Sequence, residues 1–391
     1  MKVVVAHNRY SSAQPSGENS VVDAELAQLS SVGVTVIPFI RSSDEIADMS
    51  AMQKLGMVGS PIYGRKAQKD LARVIETQRP DLIHLHNPYP FLSPAVIATA
   101  QARSVPVVQT VHNYRHECLN GLYFRDGAAC HDCRGKTFDL PGVRHGCYRG
   151  SRAQSLVMAT ALSVNRRNLQ GADCYIALTD AIAEHLRRFG VDDSRIRVKP
   201  NAVADPGPHD IAGDGFVSIG RLSEEKGIGL LLDAWRRHPQ NSLGTLTVAG
   251  DGPLRGVVEA AARERDDVRY VGQVTPKQRD ELLADSAALI ASSLCEDVLP
   301  TVVIEALASA RPVLTTDLGG PPSMIGEAGL VCEPTVDGMA EALPLMRQRA
   351  RDLAPVARKR YLDTFTTEVV MARHLDIYRR VAAGEPVNDA A

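Results

Sequence analysis

Apolar positions along the chain gather in short, near-continuous runs separated by amphipathic stretches. In the first half the runs cover residues 3–7, 34–40, 82–86, 105–112, 174–179 and 196–200. Such runs fit strands buried on both faces of a parallel sheet. Between them, apolar residues recur at helical spacing, for example over residues 21–31, 66–78 and 94–102. This alternation predicts a doubly wound α/β domain. The stretch 204–209, with Pro206, Gly207 and Pro208, interrupts it and reads as a linker. A second series follows, with strands expected at residues 216–219, 246–249, 268–271, 288–291, 312–315 and 330–332. Helices are expected at 229–237, 254–263 and 276–284, and a last one over 366–382. Two wound domains facing each other imply a cleft at the carboxyl ends of both sheets, where ligands bind in such folds.

Composition narrows the class. The chain has 391 residues, of which 44% are hydrophobic, and reads as a globular protein of two domains. No apolar run has the length of a spanning helix, and the opening residues read as a first strand rather than a signal peptide core. A cytoplasmic protein is therefore expected. The net charge of −2 is unevenly placed, with 24 Lys and Arg against 18 Asp and Glu up to Pro200 and an acidic remainder. The basic half would be drawn to anions or to an anionic membrane surface. The acidic half argues against nucleic acid as a partner.

The densest chemistry lies between Glu296 and Ala308. Acids on a loop, Glu296 and Asp297, precede a Pro300-Thr301 helix start, and Glu305 follows one turn in. Helical side chains tilt toward the N-terminus, so Glu305 can reach the helix mouth. The first N–H groups there, near Thr301, favour an anion. A phosphate seat flanked by carboxylates suits a nucleotide sugar, although a capped surface helix would carry the same residues. Directly after the first strand of the second half, Gly220-Arg221-Leu222 and Glu225-Lys226-Gly227 place Arg221 and Lys226 where they can neutralise a diphosphate.

With these segments in order, the chain resembles a family 4 glycosyltransferase of the GT-B fold. Gly220-Arg221-Leu222 with Glu225-Lys226-Gly227 resembles the phosphate loop, and Val248-Ala249-Gly250-Asp251-Gly252-Pro253 the next sheet-edge turn. Val271-Gly272-Gln273-Val274 resembles the segment that approaches the base, and Leu318-Gly319-Gly320 the Gly-rich turn after the acidic element. In the first half, Thr110-Val111-His112-Asn113 resembles the strand end that carries the active-site histidine. Ser16-Gly17-Glu18 stands where the family has a Gly-Gly turn, so close backbone approach is supported only at Gly17. The family's E-x7-E spacing, counted back from Glu305, lands on Asp297. Glu296 would serve only if the loop carries a one-residue bulge.

The resemblance implies two Rossmann-like domains: residues 1–205 for the acceptor, with an insert at about 113–150, and 206–365 for the nucleotide sugar. Residues 366–391 would form a helix and tail returning to the first domain. It also implies transfer of a hexose from a UDP- or GDP-sugar, with retention, to a glycan, lipid-linked or small-molecule hydroxyl. Arg221 and Lys226 would hold the diphosphate, Glu305 the ribose, Asp297 the hexose, and His112 would contact the hexose. No cofactor is required, because Arg and Lys supply the charge. The rival readings are a nucleotide-sugar 2-epimerase on the same fold and a non-catalytic nucleotide-sugar binding module.

The insert adds Cys118, Cys130, Cys133 and Cys147. A Cys-x2-Cys knuckle with two outer cysteines has a zinc-like layout, which would staple a segment with little core of its own. The alternative is reduced thiols packed beneath a loop. Arg144, Arg149 and Arg152, together with Arg65, Lys69 and Arg73 on one helix face, would suit peripheral docking at the inner face of the membrane, or an ordinary solvated face.

Overall fold

A computed structural model describes residues 1–12, 17–50, 52, 59–209 and 213–387. Ser16 lies outside the described residues. The chain divides into two compact units: Met1–Leu122, His131–Lys199 and the chain from Met371 on form one, Tyr123–Cys130 and Pro200–Val370 the other.

The first unit holds a six-stranded sheet in the order β2-β1-β3-β4-β7-β8. Its strands are β1 (Lys2–Arg9), β2 (Thr35–Ser42), β3 (Leu82–Leu85), β4 (Val107–Val111), β7 (Cys174–Ala177) and β8 (Ile196–Val198). Every pairing is parallel. Strands β1, β3, β4 and β7 are almost wholly buried along their length. That two-sided burial is why they read as continuous apolar runs rather than as alternation. One face packs Val3, Val5, Leu82, Val108, Cys174 and Ile176 against Met371, Ile377, Tyr378 and Val381. These last residues belong to the helix Thr367–Ala383.

The short strands β5 (Phe124–Arg125) and β6 (Ala128–Ala129) pair antiparallel in a ribbon within the second unit. The second unit's main sheet is again six-stranded and parallel, in the order β11-β10-β9-β12-β13-β14. It contains β9 (Phe216–Ile219), β10 (Leu246–Ala249), β11 (Val268–Gly272), β12 (Ala288–Ala291), β13 (Val313–Thr316) and β14 (Gly329–Cys332). Its core centres on the fully buried Trp235, packed edge-on to Phe216 at 5.9 Å between ring centroids. The Pro-Gly linker is pinned within this unit, where Arg358 grips Asp205 through both guanidinium arms at 2.6 and 2.7 Å.

Both sheets are wound from the middle outward, as the sequence pattern predicts. In the first the strand order reverses between β1 and β3, in the second between β9 and β12. Loops leaving the carboxyl ends of those strands flank a crevice, the usual place for a ligand in open α/β sheets. No helix among the described residues is long and apolar enough to cross a membrane.

Candidate functional site

In the second unit the loops after β9 and β12 are tied together at the reversal point. The Leu294 N–H donates to the Glu225 carbonyl at 2.9 Å, and the Ser292 hydroxyl to the Lys226 carbonyl at 3.1 Å. Gly227 makes this approach possible. It has φ +68°, and a Cβ there would strike the Ser292 carbonyl. Gly319, after β13, is held in the same way against the Asp297 backbone with φ +67°, and the next residue, Gly320, donates its N–H to the Asp297 carbonyl at 2.7 Å.

These loops bring Lys226 and Asp297 into an ion pair. Ser293 Oγ lies 3.2 Å from the same carboxylate. Burial would lower the Lys226 pKa, but the charge and hydrogen bond of Asp297, with Cys295 and Glu225 adding, together raise the ammonium above its ordinary value. Arg221 reaches out to solvent, 60% exposed, and pairs with Glu225 four residues on. Burial would raise the Glu225 pKa, yet Ser223 and Arg221 hold it below the usual carboxylate value.

Glu305 projects from the helix Thr301–Ala308 and accepts a 2.6 Å hydrogen bond from Arg279 Nη1. Burial raises the Glu305 pKa against the opposing pull of Arg279. Pro300, at the cap position of this helix, has no side-chain acceptor for the helix N–H groups. Glu296 is half-buried one residue before the paired carboxylate, and Val274 lies in the turn between β11 and the helix Pro276–Ala284. Sequence reasoning missed Arg279. It stands in the first turn of that helix behind a Thr275–Gln278 capping box, 26 residues from Glu305, and no local pattern links the two.

In the first unit the Asn8 N–H donates to the Asn87 carbonyl at 2.8 Å across the reversal point. Around it stand His7, His86 and His112, at the ends of β1, β3 and β4. His112 Nε2 lies 2.9 Å from His86 Nδ1. A cavity of about 30 Å³ is lined by Glu18, His86, Tyr89, Gln109, His112 and Arg115 among others. That is room for about one or two waters. Burial pushes the His112 pKa well below the usual histidine value, with His86 and His7 adding to the effect. Gly17 begins the helix Gly17–Ser31, and a Cβ there would meet nothing within 4 Å.

Among the described residues, the metal-capable donors found grouped within 4.8 Å of one another are Glu25, His84 and His86. Part of this cluster is engaged by neighbouring side chains, while Glu25 Oε1 and His86 Nε2 have no hydrogen bond. Lys199 Nζ donates to Glu25 Oε2 at 3.3 Å, and the two His84 nitrogens lie 2.7 Å from Tyr378 Oη and 2.7 Å from Thr110 Oγ1. In the insert, Cys118 Sγ donates to Asn120 Oδ1 at 3.0 Å. Burial and then the Asp139 charge push the Cys133 thiol up to about 12, with Cys118 and Cys147 contributing. The Cys130 N–H, in the second unit, donates to the Tyr123 carbonyl at 2.7 Å and closes the β5–β6 ribbon.

Two parallel wound sheets with charged loops at their reversal points define the GT-B fold. The sucrose-phosphate synthase of Thermosynechococcus elongatus has this fold and superposes with a TM-score of 0.69 over 98% of this chain and 100% of its own, at 20% identity. The chain belongs to the group 1 glycosyltransferases: residues 4–202, over half of the chain, match the glycosyl transferase 4-like domain, and residues 213–346 match the glycosyl transferases group 1 domain. It is 26% identical over 257 residues to the alpha-maltose-1-phosphate synthase of Mycolicibacterium smegmatis, covering 56% of this chain and 66% of that protein. It is 29% identical over 295 residues to TuaC of Bacillus subtilis, named as a teichuronic acid biosynthesis glycosyltransferase, covering 73% of this chain and 64% of that protein. The chain thus matches just under two thirds of the length of each of these two relatives.

Proposed function

We propose that the chain transfers a hexose from a UDP- or GDP-linked sugar to a hydroxyl of a glycan, lipid-linked or small-molecule acceptor, with retention at the anomeric carbon. The Lys226–Asp297 pair at the reversal point of the second sheet carries this reading. It sets a fixed cation and a carboxylate side by side, as a diphosphate bonded to a polyhydroxylated sugar requires. Family membership and the glycan-linked name of TuaC support it.

In this reading Lys226 and Arg221 bind the diphosphate. As the glycosidic bond breaks, charge grows on the leaving phosphate, and positioned cations stabilise it more than they stabilise the bound donor. The N–H groups near Thr301 add donors, and Val274 lies by the base. Asp297 accepts from hexose hydroxyls, and Glu305, steadied by Arg279, accepts from the ribose. Glu296 is the alternative sugar acid. Gly17 leaves room for a donor phosphate or hexose to approach backbone, and His112 contacts the hexose. The site residues supply the charge the reaction needs, so no catalytic metal is proposed.

A structural zinc on Cys118, Cys130, Cys133 and Cys147 is part of the proposal. Its support is the Cys-x2-Cys spacing of Cys130 and Cys133 between two outer cysteines. Peripheral docking is supported by the helix Arg152–Val164, which exposes Leu156 and Val164 as well as Arg152. Basic and apolar groups exposed on one helix suit an anionic interface.

Product analysis tests the reaction. Incubation with UDP- and GDP-hexoses and acceptor pools should release the nucleoside diphosphate and yield a glycoside of unchanged anomeric configuration. Release of an epimerised sugar, or no consumption of any donor, would overturn the reading.

A further inference from the structure

Behind the His112 ring, the first unit buries a carboxylate. Glu25 projects from the helix Gly17–Ser31 and is 6% exposed. One oxygen, Oε2, takes the Lys199 ammonium at 3.3 Å and lies 3.7 Å from His374 Nδ1. The other, Oε1, lies 3.1 Å from His84 Nδ1 and 3.2 Å from His86 Nε2, and neither contact is aligned as a hydrogen bond. Burial would raise the Glu25 pKa, but His374, Lys199, His84 and His86 together place it well below its ordinary value, and at neutral pH the Lys199 ammonium at 3.3 Å is the full charge that keeps it ionised.

The proton positions follow from this charge. Burial, then His84, pushes the His86 pKa down to about 4, so His86 is neutral and carries one ring proton. Were that proton on Nδ1, the Nε2 lone pair would face an ionised oxygen at 3.2 Å in a low-dielectric interior. The proton therefore sits on Nε2, toward Glu25, and Nδ1 is left as an acceptor. The 2.9 Å contact between His86 Nδ1 and His112 Nε2 needs one proton, and only His112 can supply it. His112 is thus protonated on Nε2 and unprotonated on Nδ1.

We infer that His86 and Glu25 are positioning residues that lock His112 into its Nε2–H tautomer, so that the ring offers the Nδ1 lone pair to a sugar hydroxyl. A ring fixed in this way accepts a hydrogen bond and has no proton to give at Nδ1. It aligns the hexose rather than acting as a general acid. This rests on the proposal that His112 meets the hexose. The sequence carries the device in the His84-x-His86 pair, which places both rings on β3 or at its end, facing Glu25.

The test uses full-length protein with ¹⁵N-labelled histidine, His112→Gln serving to identify the resonance. The expected wild-type spectrum at neutral pH shows His112 as the Nε2–H tautomer. His86→Leu should release that tautomer and lower kcat roughly 10- to 100-fold, the usual loss when a buried orienting partner is removed, with KM for the donor unchanged. His86→Asn, whose amide oxygen replaces the Nδ1 acceptor, should restore both the tautomer and most of kcat. A wild-type His112 protonated on Nδ1, or doubly protonated, would overturn the inference. So would full kcat in a folded His86→Leu protein. The wild-type spectrum does not depend on turnover, so a protein that transfers no sugar would sink the proposed function and leave the tautomer assignment standing.

Discussion

The Lys226 ammonium is ion-paired with the Asp297 carboxylate, 71 residues further along the chain. The pair joins the loop after β9 to the loop after β12 across the reversal of strand order. It also singles out one of two neighbouring acids, because Asp297 is the carboxylate at the Lys226 ammonium. Asp297→Ala should therefore lower kcat/KM for the donor much more than Glu296→Ala. A loss of roughly tenfold or more is expected for a charge-assisted contact. Steady-state kinetics of the two variants decide it, and the reverse order would make Glu296 the sugar ligand.

Arg279 is expected to act through Glu305, which it holds at 2.6 Å. Arg279→Ala and Glu305→Ala should each weaken donor binding, and the double variant should be little worse than Glu305→Ala alone. Contacting residues of this kind show coupling energies of about 0.5–3 kcal/mol. Strictly additive losses in a double-mutant cycle on donor affinity would show that Arg279 has no part in setting Glu305.

Much of the second unit's candidate site was legible because it lies on contiguous motifs. Lys226 and Asp297 were found from loop composition and from family spacing, and the twelve main-sheet strands from continuous apolar runs. What stayed hidden depends on contacts between distant elements. Arg279 looks like one more surface helix charge until the fold sets it on Glu305. Glu25 sits in a helix with charges of its own, and nothing in its neighbourhood reveals that β3 brings two histidines to it. Its burial at 6% exposure goes against the ordinary preference of glutamate for solvent, and only Lys199 and the histidines make it tolerable.

The histidine core makes stability fall on acidification. Burial, then His86 in the one case and His84 in the other, pushes His7 and His86 down to about 4, while burial and neighbouring groups hold His112 and His374 well below their ordinary value. In the unfolded chain they titrate near 6.5. Between about 6.5 and 4 the unfolded state binds protons that the folded state refuses, so stability drops as pH falls through that window. Glu18 and Asp139, each pushed up to about 7 by burial, and Glu305, raised by burial, oppose this, because the folded state keeps their protons above the unfolded values. With His116 and His185 also lowered by burial, six histidines against three carboxyls give a net loss. Thermal denaturation should show Tm falling steadily from pH 7 to 4.5. A flat or rising Tm would show that the histidines are not buried neutral.

If Cys118, Cys130, Cys133 and Cys147 hold zinc, purified protein should carry about one equivalent by metal analysis. Chelation should loosen the insert and reduce acceptor use, since metal binding contributes directly to folding. Nucleotide binding should persist, because Cys118, Cys133 and Cys147 lie in the first unit, whereas Arg221, Lys226 and Glu305 lie in the second. Metal-free protein of full activity would leave the cysteines as packed thiols.

Calorimetric titration of the wild-type protein and Lys226→Ala with UDP, GDP and their hexose conjugates tests the central claim most directly. The expected result is saturable one-to-one binding of one nucleotide series to the wild type, weakened roughly 10- to 100-fold by the loss of a charge-assisted phosphate contact. Wild-type protein that binds none of these nucleotides, or a Lys226→Ala protein that binds them as tightly as wild type, would contradict it.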